Sequence, residues 1–387
     1  MYAHANAHSN SNTNTNTPKP PNDTTPSSPG QTAWSTPGRA ARDFRSDTIT
    51  TPTASMLSAI THTTLLDDCY VEDPTTNELE ALCARLTAHE SALFVLSGTM
   101  GNQVALRTHL GAPPHAVLLD ARSHIMVHEA GGLASLSGAL AQTVLPANSH
   151  HLTLPDITRH AVLTDDIHSC PTRIICLENT LHGTVMPLAE VQRITAWAHA
   201  HGILVHLDGA RLWEAVASGA GTLAEYASAV DSVSLCFSKG LGAPIGSMLV
   251  GNKAFIKRAR WIRKCFGGGT RMSGVLTAAA RSAIEDTFLG GRLEGSHRNA
   301  RRVAEVWRGL GGKLVYPVET NMVWLDLEAH GIAVERFVEA AGRRGLVVMG
   351  GRLVVHYQIC EDALVQLEGV LRGLLAGEEG VDGGAEA

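Results

Sequence analysis

Residues 231–246 read DSVSLCFSKGLGAPIG. An alternating apolar run over 232–237 stops at Ser238-Lys239-Gly240. Upstream, GILVHLD (202–208) is a second apolar run that stops at Asp208 and is followed by Gly-Ala-Arg211. Short runs of this composition, bounded by glycines, read as buried β-strands. A lysine and an aspartate released at the ends of two such strands add little to packing. Their position is that of ligand-facing groups in an open α/β sheet, where the site lies beyond the carboxyl ends of the strands.

Outward from this pair, short apolar runs alternate with longer helical ones. SALFVLSG (91–98), HAVLLD (115–120), TRIICLEN (172–179), AVDSVSLCFS (229–238) and APIGSMLVG (243–251) also read as strands. TMGNQVALRTHL (99–110) and LAEVQRITAWAHAHG (188–202) read as helices, the second with apolar residues three and four apart and a glycine stop. The pattern predicts an α/β fold with a mainly parallel sheet covered on both faces. Gly98, Asn179, Asp208 and Lys239 all fall at strand ends. Past Gly290 a long polar helix (292–311) leads to KLVYP, NMVWLDL, a helix through VERFVEAAGRRG, then LVVMGGRLVVHYQI and a last helix. Two or three strands with flanking helices predict a smaller C-terminal α/β domain. The expected organisation is a disordered low-complexity tail over 1–40, a large domain over 41–290, a small domain over 291–374 and a frayed tail over 375–387.

Composition narrows the function classes. The chain has 387 residues, 44% of them apolar, enough for a sizeable core. The net charge of -6 and the lack of a long basic tract argue against nucleic acid as a partner. KRARWIRK (257–264) reads as a solvated helix face. Seven cysteines, an odd number without CxxC, match neither a zinc site nor a disulfide framework; no metal is expected, and a reduced cytoplasmic setting is. No run approaches the roughly 20 apolar residues of a membrane span. The start, MYAHANAHSNSNTNTNT, has neither the basic nor the apolar region of a secretory signal.

The strand-end residues suit one cofactor, pyridoxal 5'-phosphate. The Lys239 amine would meet its aldehyde carbon, and Asp208 would keep its ring nitrogen protonated so that the ring draws electrons from a bound amino acid. Read alone, Asp208 also suits a metal ligand or a helix cap. Ser97, Gly98 and Thr99 lie at a strand-to-helix junction, where unpaired amides and the helix dipole favour a phosphate. Nucleotide folds use the same device, but their fingerprints GxGxxG and GxxxxGK[ST] are absent from this junction. His124, after HAVLLD, is the candidate to cover the ring face and to move a proton, with Glu129 to anchor it. Arg211 is placed to donate to a phenolate or a carboxylate. Arg352 is the candidate partner of a substrate carboxylate, and Arg271, in FGGGTR, a neighbour of cofactor or phosphate.

These motifs resemble those of the low-specificity L-threonine aldolases, pyridoxal-phosphate enzymes of fold type I. The resemblance is carried by FRSDTIT (44–50), DDCYVEDPTTNELE (67–80), ALFVLSGTMGNQ (92–103), SHIMVHEAGG (123–132), ICLENTLHGTVMPL (175–188), HLDGARLWEA (206–215), SVSLCFSKGLGAPIGSMLVG (232–251) and RLVVHYQI (352–359). It covers about residues 42–370. It implies a large domain built on a seven-stranded sheet, with Lys239 as the cofactor lysine, Asp208 at the ring nitrogen, Arg211 near the ring oxygen and His124 stacked on the ring. It also implies that Ser46 and Arg352 hold the substrate carboxylate, that Arg271 lines the site, and that Tyr70 and Lys264 serve a neighbouring subunit's site in a homotetramer. The implied reaction splits L-threonine or L-allo-threonine into glycine and acetaldehyde. Another pyridoxal-phosphate lyase or an aminotransferase is the rival reading, and a relative without turnover the non-enzymatic one.

Two departures from the family pattern bear on the site. Val71 stands where a glycine is usual, and Leu181 where many members have a histidine that touches the substrate hydroxyl; the histidine here is one place later, His182. A third, valine for threonine in RLVVH, is minor.

Overall fold

The computed structural model describes residues 32–376. Residues 1–31 and 377–387 of the two expected tails lie outside this range. Residues 32–40 lie within it, with Ala40 buried and Trp34 packed against the main core.

A seven-stranded sheet forms the centre. Its strands are β1 (Ser91–Val95), β2 (Ala116–Asp120), β3 (Leu140–Val144), β4 (Thr172–Glu178), β5 (Leu204–Gly209), β6 (Ser232–Cys236) and β7 (Ser247–Gly251), in spatial order β1-β7-β6-β5-β4-β2-β3. The pairs among β3, β2, β4, β5 and β6 are parallel. β7 runs antiparallel to both β6 and β1. The connection explains that reversal: residues 237–246 are too few for the crossover of a dozen or more residues that a parallel neighbour needs. The tight turn they form instead carries Lys239.

Side-chain alternation distributes the core to both faces. On β1, Leu93 and Val95 pack with Val104 and Phe255, while Phe94 joins the opposite cluster with Leu79, Leu207 and Leu235. Six strands were legible as apolar runs. β3, LAQTV, was not: it is an edge strand with only Val144 buried, so no apolar run marks it.

The C-terminal part packs the helices Arg292–Gly309, Val334–Arg343 and Glu361–Ala376 around Trp307, Phe337, Val323, Leu353 and Leu371. Its sheet is a single antiparallel pair, β8 (Met322–Trp324) with β9 (Arg352–Val354). KLVYP contributes only a bridge from Leu314 to Leu325, since Pro317 cannot extend a ladder. Phe44 is part of this second core, its amide donating to Val347 O at 2.8 Å. A few residues on, Thr50 Oγ1 donates to the Lys239 carbonyl at 2.9 Å. The segment 43–50 therefore ties the small core to the lysine turn.

The basic stretch 257–264 is not wholly solvated. Lys257, Arg258 and Lys264 are exposed, but Arg263 turns inward and donates to Asp68 Oδ2 at 2.6 Å and to Phe94 O at 2.7 Å.

Candidate active site

β4, β5 and β6 end together. Glu178 pairs in register with Asp208, and Asp208 with Ser234. Asp208 is buried; Oδ2 accepts from Asn102 Nδ2 at 2.8 Å and Oδ1 from the Ala210 amide at 3.0 Å. Lys239, half-buried on the β6–β7 turn, has no ion pair among the described residues. A Cβ at its neighbour Gly240 would overlap Glu214 Oε1, so the turn needs glycine to sit this close to the protein body. Glu214 is itself locked: Oε2 meets His297 Nε2 at 2.6 Å and Oε1 accepts from Asn321 Nδ2 at 3.3 Å.

Ser97 caps the helix Gly98–His109, its hydroxyl accepting from the Met100 amide at 3.1 Å. Beside Gly98 lies Ser247 Oγ, buried and without a partner among the described residues. A helix N-terminus with an orphan hydroxyl beside it suits a phosphate.

His124 begins a short helix, its amide donating to Glu178 Oε2 at 2.7 Å. Its Nδ1 lies 2.8 Å from Glu129 Oε1. Glu129 also receives Asn102 Nδ2 at 2.8 Å and Gln103 Nε2 at 2.6 Å. An ionised carboxylate only accepts, so Nδ1 carries hydrogen and Nε2 is left free to act as a base. Burial, then the adjacent charge of Asp208, pushes Glu178 up to about 8.

Arg211 donates to Asp47 through Nε at 2.8 Å and Nη2 at 2.6 Å. Arg352, half-buried, donates to Arg45 O at 3.0 Å and lies over the Trp324 ring, 5.8 Å from its centroid. Ser46 Oγ accepts from the Thr48 amide at 3.2 Å. His182 Nδ1 is 3.1 Å from Tyr316 Oη, and burial, then the charge of Arg122, lowers the imidazole to about 4. Leu181 is buried in the core.

Three expected residues gather elsewhere. Tyr70, Lys264 and Arg271 stand on an exposed shelf, where Arg271 Nη1 donates to Asp67 Oδ2 at 2.9 Å and Lys264 Nζ lies 3.7 Å from Cys69 Sγ. Their contacts within this chain do not reach Lys239, Asp208 or His124. Asp47, Asn102, Gln103, Glu178, Glu214 and Asn321, absent from the sequence-based set, belong to the site or its support. Asn102 had a readable signal: it lies four residues after Gly98 on one helix, hence on the same face.

The chain matches the family described as β-eliminating lyase over residues 43–330. This chain belongs to that family. Among its relatives, the lyase is 56% identical to "Aldolase vrtJ" of Penicillium aethiopicum, over 87% of each chain. It is 47% identical to "Alanine racemase TOXG" of Cochliobolus carbonum, over 86% of this chain and 87% of that one. It is 45% identical to the low specificity L-threonine aldolase of Saccharomyces cerevisiae, over 85% of each. A Leishmania major threonine aldolase structure shares the fold, with a TM-score of 0.76 and 21% identity over 86% of this chain and 99% of that one. The lyase is a fold type I enzyme, with the mixed seven-stranded sheet and smaller C-terminal domain of that class.

Pyridoxal phosphate is the cofactor that the strand-end residues imply, and the residues of the site fit the group. The unpaired half-buried lysine, the buried carboxylate on the neighbouring strand and the helix N-terminus with its orphan hydroxyl answer the aldehyde, the ring nitrogen and the phosphate. His124, Glu129 and Asp208 also bring their ligand atoms within 4.8 Å of one another, but Asn102 already bonds both carboxylates.

Proposed function

We propose that this lyase cleaves L-threonine and L-allo-threonine to glycine and acetaldehyde, a step of threonine catabolism and glycine formation. The observation that carries the reading is the hydrogen-bonded group His124–Glu129–Asn102–Asp208 at the carboxyl end of the sheet. Pyridoxal phosphate, when bound, supplies the electron sink for the charge left at Cα. Lys239 would hold the cofactor at its aldehyde carbon. Asp208 would keep the ring nitrogen protonated. Arg352 would take the substrate carboxylate and so fix the orientation of the bonds at Cα. His124 Nε2 removes the hydroxyl proton, with Glu129 holding the other ring nitrogen. With Leu181 buried, contact with the hydroxyl falls to His124, assisted by His182.

Tyr70, Lys264 and Arg271 completing a neighbour's site in a homotetramer is the reading we favour for the exposed shelf. Its support is the exposure of Tyr70, Val71 and Met272 around the Arg271–Asp67 pair. Among the described residues no helix is long and apolar enough to cross a membrane. A cytoplasmic location is supported by seven free cysteines.

The relative named alanine racemase favours a second reading, proton exchange at Cα of alanine. Purified enzyme incubated with L-threonine and, separately, L-alanine separates the two. Acetaldehyde with equimolar glycine supports the aldolase; D-alanine at a higher rate overturns it.

A further inference from the structure

A buried chain of hydrogen bonds leads from Asp208 into the protein body. Asn102 Nδ2 gives one hydrogen to Asp208 Oδ2 and the other to Glu129 Oε1, each at 2.8 Å. Both of its donors are thereby committed to carboxylates, so Oδ1 must accept, and it faces His206 Nε2 at 3.1 Å. That nitrogen carries the hydrogen. Burial lowers His206 to about 4, so the ring is neutral and its Nδ1 accepts from Ser232 Oγ at 2.8 Å. Ser232 Oγ in turn lies 2.8 Å from His109 Nε2, on a ring stacked over Phe255 with centroids 4.3 Å apart. Apart from the Asn102 hydrogen given to Glu129, every donor in the chain points toward Asp208. An amide relays no proton without changing its bonding, so the chain acts by placing dipoles.

The sequence builds this locally. His206 and Asp208 are two apart on β5 and share a face. Ser232 and Ser234 on β6 stand opposite them in register. Gly101 lets the helix Gly98–His109 approach β6, since a Cβ there would overlap Ser234 Oγ. Asn102 follows at once.

The plain alternative is that these groups only satisfy one another in the core. Two observations go beyond it. One amide joins two carboxylates with different tasks, at the ring nitrogen and behind the base. The surroundings are also crowded with acids: Glu129, Glu178 and the Cys176 thiol lie near Asp208, with Lys239 and Arg211 as the nearby cations. Acids packed this closely drive one another toward protonation unless donors hold them ionised.

We propose that His206 and Asn102 are positioning residues: His206 fixes the Asn102 amide so that it donates to Asp208 and Glu129 at once, tuning the cofactor nitrogen and the His124 base together. This rests on the reading of Asp208 and His124 given above.

The test uses purified holoenzyme with Asn102→Ala, His206→Leu, His206→Gln and Ser232→Ala. Three things are measured: the pH titration of the bound cofactor's visible absorption, kcat and KM for L-threonine, and urea unfolding. Loss of a donor to a buried carboxylate should move the titration midpoint of Asn102→Ala and His206→Leu by about one pH unit. It should also lower kcat roughly tenfold with KM nearly unchanged. Gln presents an N–H in place of Nε2, so His206→Gln should recover most of both. Ser232→Ala deletes one hydroxyl and should shift the midpoint in the same direction by less. The inference is overturned if the Leu and Gln variants titrate like wild type and lose activity only in step with their urea midpoints. If His206→Leu does not yield holoenzyme, an unshifted Ser232→Ala overturns it equally. A wild-type protein that shows no visible cofactor band or no cleavage would sink the underlying reading instead, so the two failures are distinguishable.

Discussion

Asp47 receives both Nε and Nη2 of Arg211, at 2.8 and 2.6 Å, and is itself fully buried. The pair joins the segment after Ser46 to the residue beyond β5, between the small core and the sheet. Burial alone would raise Asp47, but the charge and hydrogen bonds of Arg211, then Lys239 and Arg352, outweigh it and hold the carboxyl well below its usual range. A depressed folded-state pKa stabilises above the unfolded value and loses that contribution as pH falls through the folded value. Asp47→Asn should therefore cost about 3–5 kcal/mol near neutrality, the scale for removing one partner of a buried pair. The gap to wild type should begin to close below about pH 4, where the carboxyl of the unfolded chain starts to protonate, and should keep closing as pH falls toward the depressed folded-state value. Urea unfolding across pH checks both; a gap independent of pH contradicts the ion-pair account.

Lys239 has no ion pair among the described residues to lose, so Lys239→Ala should fold normally and abolish turnover. Borohydride reduction of wild type should fix the cofactor on the peptide containing Lys239; labelling of another lysine refutes the assignment. Asp208→Asn should keep the bond from Asn102 in shape while losing charge at the ring nitrogen. The loss should fall mainly on kcat.

Much of this site was legible because strand ends are legible. Lys239, Asp208 and Gly98 each follow an apolar run, and the run fixes where the chain emerges. What stayed hidden is support that acts across the sheet. Glu214 reaches Gly240 and His297, and Asn321 reaches Glu214 and Asp47; no local period signals a partner so far along the chain. β3 was hidden because an edge strand needs no apolar run. The reversal of β7, by contrast, follows from the shortness of the turn once both strands are known.

His124 and His182 divide differently from their sequence neighbours. His124 Nδ1 is held by Glu129, while His182 bonds Tyr316 and is depressed to about 4, so it is neutral at working pH and takes up a proton poorly there. His124→Phe should keep a ring over the cofactor and lose well over tenfold in kcat, the scale of acid–base help. His182→Ala should change kcat less and shift the preference between L-threonine and L-allo-threonine. A fast His124→Phe beside a collapsed His182→Ala would reverse the roles.

Val71 adopts φ 60°, ψ 33°, the left-handed region, at the end of the turn Asp68–Tyr70. The backbone keeps the conformation that suits glycine although the side chain is β-branched. Its amide donates to Asp68 O at 2.9 Å and its carbonyl accepts from Asn77 Nδ2 at 2.9 Å, so the turn is held from both sides. Left-handed backbone costs an L-residue about 1–2 kcal/mol, and the exposed valine recovers little of that by packing. Val71→Gly removes the strain but adds unfolded-state entropy of about 0.5–1 kcal/mol. The net expectation is a gain of roughly 0.5–1 kcal/mol. Val71→Ala is the control: it shortens the side chain, keeps a Cβ at positive φ, and should gain less than the glycine variant. Because Tyr70 precedes this turn, a looser Val71→Gly loop should also weaken whatever Tyr70 contributes to a neighbouring site, seen as a raised KM at unchanged cofactor content. Urea midpoints for the two variants decide the first point. A glycine variant no more stable than the alanine one would mean that the turn carries no strain.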